Sequence, residues 1–286
     1  MTTIKAYAKV NLFLNVVGLR NDHYHDLEMI NAKIDLADVL HFCDTQSNNQ
    51  VTIHSNDLFL ENQPNLLKKV ATYMMEHYVK NHQLEITVEK NIPAGAGLGG
   101  NSADAAAIIK GINQLYHLNL SNEEMRLIGR LFGADIPYCL TEGFAKVTGI
   151  GDVIEPLQFS LDGYKVLVLK PKAFVKTEDV FNLGDAMGFE HQAIAPILAA
   201  IKSKNIPRFL SNMRNGLEKI TFLLSQETLE AKQLIVRELG PDGAIMSGSG
   251  STIIKIISEK DERISSFIAK NAEKYTIFLT NIINNE

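Results

Sequence analysis

The stretch that decides the fold is Pro93-Ala94-Gly95-Ala96-Gly97-Leu98-Gly99-Gly100-Asn101-Ser102. Before it, residues 84–88 alternate between apolar and polar side chains, which is the period-two pattern of a half-buried strand. After it, residues 105–115 are rich in alanine and isoleucine and form one apolar face, which predicts a helix. The order strand, glycine loop and helix predicts a site for a phosphate, because the N–H groups and the dipole at a helix N-terminus favour an anion.

Other kinds of glycine loop fit this sequence less well. A Walker A loop is excluded, because Asn101-Ser102 occupies the place of its Lys-Ser/Thr pair. Residues Gly95 to Gly100 do fit Gly-x-Gly-x-x-Gly, so a dinucleotide-dependent oxidoreductase is an alternative. That fold needs a parallel strand and an acidic residue after the helix, whereas a second helix is predicted from Glu123. A plain glycine turn that ends a strand is a further alternative, and it does not explain the helix start.

Composition limits the class of protein. The chain has 286 residues, 45% of them hydrophobic, which is enough for two domains with separate cores. A formal net charge of −5 argues against a nucleic-acid surface. The two cysteines, Cys43 and Cys139, lack metal-ligand spacing and indicate a reducing, cytoplasmic setting. No apolar run is long enough for a membrane span, and His23 and His25 lack a third ligand, so no protein metal site is predicted.

Two polar features stand out from the pattern of the chain. Lys9 and Asn11 lie on one face of a predicted strand, where they are either buried with partners or part of a solvated edge. Asp135, just before Ile136-Pro137, is a suitable N-cap for a short helix. A carboxylate held by helix N–H groups also stays ionised, which suits a general base. From the residues alone, the structural and the catalytic interpretation of Asp135 both stay open.

Pro-x-x-x-Gly-Leu-Gly-x-x-Ser followed by an alanine run resembles the phosphate loop of the GHMP kinases (galacto-, homoserine, mevalonate and phosphomevalonate kinases). Residues 133–137, Gly-Ala-Asp-Ile-Pro, are similar to the motif that supplies the catalytic Asp of this family, and residues 243–251 resemble its third motif. The resemblance spans nearly the whole chain. It implies an α+β, two-domain GHMP kinase fold with the active site in the cleft between the domains. We expect an N-terminal ATP-binding domain over residues 1–158 and a C-terminal domain over residues 159–286.

The resemblance also implies a reaction and its residues. It implies an ATP- and Mg²⁺-dependent small-molecule kinase in which Asp135 removes a proton from the acceptor hydroxyl and Lys9 orients that hydroxyl. The residues expected around ATP form the phosphate loop and the border of the adenine. They are Pro93, Ala94, Gly95, Ala96, Gly97, Leu98, Gly99, Gly100, Asn101, Ser102 and Ala103 in the loop, and Asn65, Leu66 and Lys90 beside the adenine.

Three further segments, residues 8–12, 24–27 and 34–38, resemble one branch of the family in particular. Its acceptor is a methylerythritol that bears a cytidine diphosphate, in the non-mevalonate route to isoprenoid precursors. This likeness implies substrate-binding roles for Asn11, Tyr24, His25, Thr177 and Phe181. Tyr24 and Phe181 are expected to hold the cytosine ring between two aromatic faces.

Three residues depart from the family pattern. His23 and Asn101 stand where Gly is usual, and Ala103 stands where Ser is frequent. These departures leave two further alternatives, a diverged GHMP kinase with another acceptor and a degenerate nucleotide-binding module. We expect the partner to be a small molecule, with no nucleic acid and no membrane, and the chain to act as a monomer or homodimer.

Overall fold

The structure, a computed structural model, describes residues 1–45, 50–57, 66–79 and 82–284. Within these residues the chain forms eleven strands and ten helices. The strands are β1 (Thr2–Leu19), β2 (His25–Thr45), β3 (Val51–Ser55), β4 (Gln83–Glu89), β5 (Ala145–Gly149), β6 (Val153–Pro156), β7 (Tyr164–Lys170), β8 (Arg214–Asn215), β9 (Ala244–Met246), β10 (Ile253–Ser258) and β11 (Thr276–Ile283). The helices are α1 (Leu66–Tyr78), α2 (Gly100–Leu115), α3 (Asn122–Arg130), α4 (Ile136–Cys139), α5 (Thr177–Met187), α6 (Ala195–Lys202), α7 (Ile206–Ser211), α8 (Glu218–Leu224), α9 (Gln226–Leu239) and α10 (Arg263–Asn271).

The chain divides into two compact units, and neither is a continuous segment. Unit 1 contains Met1–Lys9, Leu36–Pro93 and Gly99–Thr141, and unit 2 contains Val10–Asp35, Ala94–Leu98 and Glu142–Glu286. The long strands β1 and β2 therefore each contribute one part to unit 1 and the other part to unit 2. The glycine loop is divided in the same way, with residues 94–98 in unit 2 and Gly99 onward in unit 1.

Unit 1 packs helices on a small sheet. In that sheet β4 pairs antiparallel with the second part of β2 and parallel with β3. The alanines of α2, residues 105–107, are almost completely buried, and their small side chains let the helix pack closely in the core. The core contains side chains from β2, α1, α2 and β4, among them Phe42, Val70, Met74, Leu84 and Ile108.

Unit 2 is built on an antiparallel sheet in the order β2-β11-β7-β10-β9. Its strand β7 is fully buried over Val166–Leu169, so both faces of this central strand are covered. The continuous apolar run in the sequence follows from that burial, because a strand covered on both faces has no polar side. Strand β5 pairs antiparallel with the first part of β2, and the short β8 pairs parallel with β1 at Phe13 and Leu14.

The expected α+β class is confirmed, and so is the order of strand, glycine loop and helix, which the structure forms as β4, residues 90–99 and α2. The solvated-edge interpretation of the first strand is wrong, because Lys9 is 5% exposed and Asn11 is completely buried. Short elements such as α7, α8 and β8 were not predicted, because a few residues carry too little periodicity to be recognised. The domain boundary near residue 158 stays a prediction.

No helix among the described residues is both long and apolar enough to traverse a lipid bilayer.

Candidate active site

The N-terminus of helix α2 is open for an anion. Its N-cap is Gly99, with φ of 68°, and no side chain hydrogen-bonds to the first N–H groups among the described residues. The first turn also carries no acidic residue. The intrahelical bonds begin only at the Ala103 N–H, which donates to the Gly99 carbonyl at 2.9 Å. The N–H groups of residues 100–102 and the positive end of the helix dipole therefore fit a phosphate group.

Lys9 contacts this helix start and pairs with Asp135, all within unit 1. The Lys9 ammonium lies 3.5 Å from Asp135 Oδ2. A Cβ atom on Gly99 would lie 2.8 Å from Lys9 Cγ, so only glycine leaves room for the lysine side chain here. The Lys9 side chain is buried, whereas the Asp135 side chain is 39% exposed. The carboxylate is thus accessible to a ligand, whereas its cationic partner is buried.

The expectation that the Asp135 side chain caps a helix is wrong. Asp135 does precede α4, but its side chain makes no capping hydrogen bond, and its backbone is helical at φ −79° and ψ −17°. A side-chain cap requires an extended backbone, from which the carboxylate can reach back to the N–H groups of the first turn. The charge partner of Asp135 in unit 1 is therefore Lys9.

In unit 1, a buried cluster of two aspartates and one lysine joins the residues that precede the glycine loop to helix α2, which follows it. The Lys90 ammonium contacts Asp38 of β2 and lies 2.5 Å from Asp104 Oδ2 of α2. Asp38 also accepts hydrogen bonds from the backbone N–H groups of Asn91, at 2.5 Å, and Ile92, at 2.8 Å. Both carboxylates are fully buried. We call Asp38, Lys90 and Asp104 the buried acid–lysine cluster.

Two negative charges share one positive charge in this cluster. Burial, together with the neighbouring Asp38 charge, raises the pKa of Asp104 from 3.8 to about 7, although Lys90 opposes the shift. Among the described residues, Asp104 Oδ1 has no hydrogen-bond partner, so one oxygen of the pair is free to carry a proton. The two carboxylates raise the pKa of Lys90, which outweighs the opposite effect of its burial, so the lysine stays protonated.

The raised pKa of Asp104 predicts a specific pH dependence of stability. Its folded-state pKa, about 7, lies above the unfolded value of 3.8, so the folded state binds the extra proton between these values. The stability that this proton adds to the folded state is fully present below the unfolded pKa and is lost as the pH rises through about 7. We therefore expect urea titrations from pH 4 to 8 to show Asp104→Asn gaining stability relative to the wild type as the pH rises. A difference that is constant across this range would contradict the assignment.

In unit 2, residues 94–98 of the glycine loop contact the second glycine loop, residues 243–251. The Ser247 hydroxyl donates to the Gly97 carbonyl at 2.9 Å. A Cβ atom on Gly97, whose φ is 70°, would lie 2.2 Å from the Ser247 carbonyl oxygen. The close approach of the two backbones therefore requires glycine at position 97. The second glycine loop therefore packs against the phosphate loop at these residues.

Asn11 is held in the core of unit 2. Its Nδ2 donates to Asn31 Oδ1 at 2.8 Å, and its backbone N–H donates to the Ser247 hydroxyl at 3.3 Å. These hydrogen bonds supply the partners that buried N–H groups require. They fix the Asn11 side chain toward β2 and link the first strand to the second glycine loop. A direct contact of Asn11 with a substrate stays a prediction.

The residues expected around the cytidine are only partly brought together. The His25 and Phe181 rings lie 4.7 Å apart, and the imidazole Nε2 lies 2.7 Å from Asp185 Oδ1. Tyr24 is 58% exposed. Thr177 begins α5, and its hydroxyl pairs with that of Ser249 at 2.8 Å. The sandwich of a cytosine between Tyr24 and Phe181 stays a prediction, and in this structure the Phe181 ring faces His25.

The three departures from the family pattern have different structural outcomes. His23 adopts φ of 65°, a left-handed conformation that costs a non-glycine residue about 1–2 kcal/mol, so the usual Gly has a backbone reason. Asn101 is exposed at the start of α2, and Ala103 is buried in the first turn. Of the residues expected beside the adenine, Leu66 is the first residue of α1, and Asn65 lies outside the described residues.

Asp38, Asp104 and Asp185 contact the expected site residues, yet none of them was predicted as a catalytic, ATP-binding or acceptor-binding residue. Asp104 had a recognisable signal, because it is a lone charge within the alanine-rich helix Ala103–Ala107. A charge on the buried face of a helix needs a partner of opposite sign. Asp38 and Asp185 had no comparable signal, since each contacts a residue that is far away in the sequence.

Two family models match the chain, one in each half. The GHMP kinases N terminal domain matches residues 65–143, and the GHMP kinases C terminal model matches residues 197–274. GHMP kinases are small-molecule kinases, and the N-terminal match contains the glycine loop at the start of α2. The dinucleotide-binding alternative is therefore wrong, and the structure shows why, because α2 is followed by helix α3 rather than by a parallel strand.

Two relatives by sequence and one crystal structure identify the branch of the GHMP kinases to which the chain is similar. The chain is 35% identical over 261 residues to the 4-diphosphocytidyl-2-C-methyl-D-erythritol kinase of Thermoanaerobacter pseudethanolicus, covering 91% of this chain and 88% of the relative. It is 35% identical to the enzyme of that name from Clostridium tetani, covering 98% and 99%. A crystal structure of 4-(cytidine 5'-diphospho)-2C-methyl-D-erythritol kinase superposes with a TM-score of 0.81 at 28% identity, covering 99% of this chain and 100% of that one. The chain belongs to the GHMP kinases and, within them, to the 4-diphosphocytidyl-2-C-methyl-D-erythritol kinase family.

Proposed function

We propose that this chain transfers the γ-phosphoryl group of ATP to a hydroxyl of 4-diphosphocytidyl-2-C-methyl-D-erythritol, in the non-mevalonate route to isoprenoid precursors. The observation that carries the proposal is the pair of Lys9 and Asp135, a buried ammonium 3.5 Å from a half-exposed carboxylate. The names of the relatives supply the acceptor. The need for ATP and the two cysteines, Cys43 and Cys139, which form no disulfide with each other, favour the cytoplasm as the place of action.

Phosphoryl transfer needs positioning and charge stabilisation more than covalent chemistry by the protein. Asp135 accepts the proton of the acceptor hydroxyl, which makes the oxygen a better nucleophile. Lys9 orients that hydroxyl and stabilises the negative charge that develops on it.

The N–H groups at the start of α2 would bind the phosphates of ATP, with Pro93 to Ala103 forming the cradle. Lys90, Leu66 and Asn65 remain the proposed neighbours of the adenine. Mg²⁺ would neutralise phosphate charge, and the described residues contain no group of three or more His, Cys, Asp or Glu that could hold a metal ion. A cation held largely by the nucleotide's phosphates fits that donor set.

The proposal is tested by measuring ADP release with a panel of acceptors. The purified protein is incubated with ATP and Mg²⁺ and with 4-diphosphocytidyl-2-C-methyl-D-erythritol, mevalonate or homoserine. We expect turnover with the cytidine-bearing acceptor and a kcat/KM at least a hundredfold lower with the other two. Preference for another acceptor would indicate a diverged GHMP kinase, and ATP binding without any turnover would indicate a degenerate nucleotide-binding module. The same preparation, run on a size-exclusion column, distinguishes a monomer from a homodimer.

Replacing Tyr24 should weaken recognition of the acceptor without affecting ATP. Stacking of a base on an aromatic side chain contributes about 1–3 kcal/mol, so we expect Tyr24→Ala to raise the KM for the cytidine-bearing acceptor by about five- to 150-fold. Tyr24→Phe retains the ring and should stay close to the wild type. An unchanged KM in Tyr24→Ala would remove Tyr24 from the acceptor site and leave the kinase assignment intact.

A further inference from the structure

The imidazole of His25 is held on three sides by one segment of unit 2. Its Nε2 lies 2.7 Å from Asp185 Oδ1. The Phe181 ring lies 4.7 Å away with an interplanar angle of 30°, and the Phe189 ring approaches edge-on at 5.6 Å and 75°. We call Phe181, Asp185 and Phe189 the imidazole clamp. Because of these contacts, only 10% of the His25 side chain is exposed.

The clamp is a local product of helix α5. Phe181 and Asp185 are four residues apart, so both project from the same face of the helix. The helix ends at Met187, and the turn at its C-cap Gly188, with φ of 83°, brings Phe189 back to the same ring. His25 itself is the first residue of β2. A side chain at the end of one strand is thus fixed by a segment 160 residues away in the sequence.

Of the three clamp residues, Asp185 is the one that sets the chemistry of the imidazole. A carboxylate can accept a hydrogen bond but cannot donate one, so a neutral His25 must carry its proton on Nε2. Nδ1 is then left without a proton, and the Phe181 face fixes the plane of the ring. A carboxylate in contact with one imidazole nitrogen commonly fixes both the tautomer and the orientation of a functional histidine.

We propose that Asp185 is a positioning residue for recognition of the nucleobase end of the acceptor, acting through the His25 imidazole. The inference rests on the proposed function, which assigns His25 to the cytidine. By holding the ring in one tautomer and one plane before the substrate binds, Asp185 removes an ordering cost from binding. Asp185 is 38% exposed, so its hydrogen bond to His25 forms at the surface of the site rather than in the core.

The first test measures the state of the ring without any substrate. Long-range ¹H–¹⁵N correlation spectra of the free protein are recorded at pH 8, about 1.5 pH units above the ordinary pKa of His. We expect His25 to be protonated on Nε2 in the wild type and to become a mixture of tautomers in Asp185→Ala. A wild-type ring that is protonated on Nδ1, or a spectrum that Asp185→Ala leaves unchanged, would overturn the inference.

The second test separates positioning from a general structural role. Asp185→Ala removes the hydrogen bond between the carboxylate and the His25 imidazole. Because hydrogen bonds to charged groups contribute more than neutral ones, we expect this variant to raise the KM for the cytidine-bearing acceptor about five- to tenfold. Its kcat and its KM for ATP should stay within about twofold of the wild type. Asp185→Asn retains an acceptor oxygen and should give a smaller increase, about two- to threefold. Asp179→Asn is the matched control, because Asp179 is an exposed aspartate on the same helix.

Together the two tests distinguish a failure of the positioning role of Asp185 from a failure of the proposed function. If the wild type turns over the cytidine-bearing acceptor and Asp185→Ala has the same KM, the positioning role fails and the proposed function stands. Equal losses in kcat and in both KM values would show a structural role and would also overturn the inference. If the wild type does not turn over this acceptor, the proposed function fails, and the NMR measurement still decides whether Asp185 orients His25.

Discussion

Asp135→Asn should reduce kcat by about a hundred- to ten-thousand-fold, the range that general-base assistance usually contributes. The amide has nearly the same shape as the carboxylate but cannot accept the proton of the acceptor hydroxyl. The Asp135 side chain is 39% exposed and caps no helix, so its replacement should leave the fold intact. Initial rates of ADP release at saturating ATP and acceptor measure the effect, and isothermal titration with ATP should show an unchanged affinity.

Glu123→Gln is a suitable control for this experiment. It also removes one carboxylate from unit 1, at an exposed position in the first turn of α3. Its kcat should stay within about twofold of the wild type, as is usual for a surface substitution. Full turnover by Asp135→Asn would refute the general-base mechanism, whatever the acceptor is.

Lys90→Met should destabilise the protein by about 3–5 kcal/mol, the cost of removing one partner from a buried ion pair. Asp38 and Asp104 are both fully buried, and the methionine would leave their charges without a cation. The loss should be measured by urea denaturation of the free protein at pH 8, where Asp104 is ionised because its pKa is about 7. It should decrease at pH 5, because a protonated Asp104 leaves only one unpaired charge.

Two further variants show whether charge causes this loss. Lys69→Met removes an exposed lysine from helix α1 of the same unit and should change stability by less than about 0.5 kcal/mol. The triple variant Lys90→Met, Asp38→Asn, Asp104→Asn removes the two unpaired charges and should recover part of the stability. A triple variant that is no more stable than Lys90→Met would mean that lost packing, and not charge, is responsible.

Local patterns in the sequence predicted the elements that local physics determines. The alternation before Pro93, the glycines and the alanine run predicted β4, the loop and α2, because turn chemistry and helix periodicity act over a few residues. The family resemblance proposed Lys9 and Asp135 as partners in one reaction, and the structure places them 3.5 Å apart. Their catalytic roles stay a prediction until the variants are measured.

Contacts between distant residues were beyond this kind of inference. The partners of Lys90 are Asp38 and Asp104, and the first of these lies 52 residues away. His25 and Asp185 are 160 residues apart. Such pairs depend on how strands and helices pack, and neither composition nor periodicity carries that information. The error on Asp135 has a different origin, since a motif typical of a capping residue does not report the backbone angles that capping requires.

The passage of β1 and β2 through both units has a consequence for biosynthesis. The described part of unit 1 ends at Thr141, so its segments all leave the ribosome while the C-terminal half of the chain is still being made. The first part of β2, in contrast, waits for β11, because Ile34 pairs with Ile282 at the far end of the chain. At ordinary translation speeds of about 5–20 residues per second, that wait lasts about 12–50 s. During this time the edge of β2 at Lys33 and Ile34 lacks its partner, and unpaired strand edges are where nascent chains recruit chaperones or aggregate.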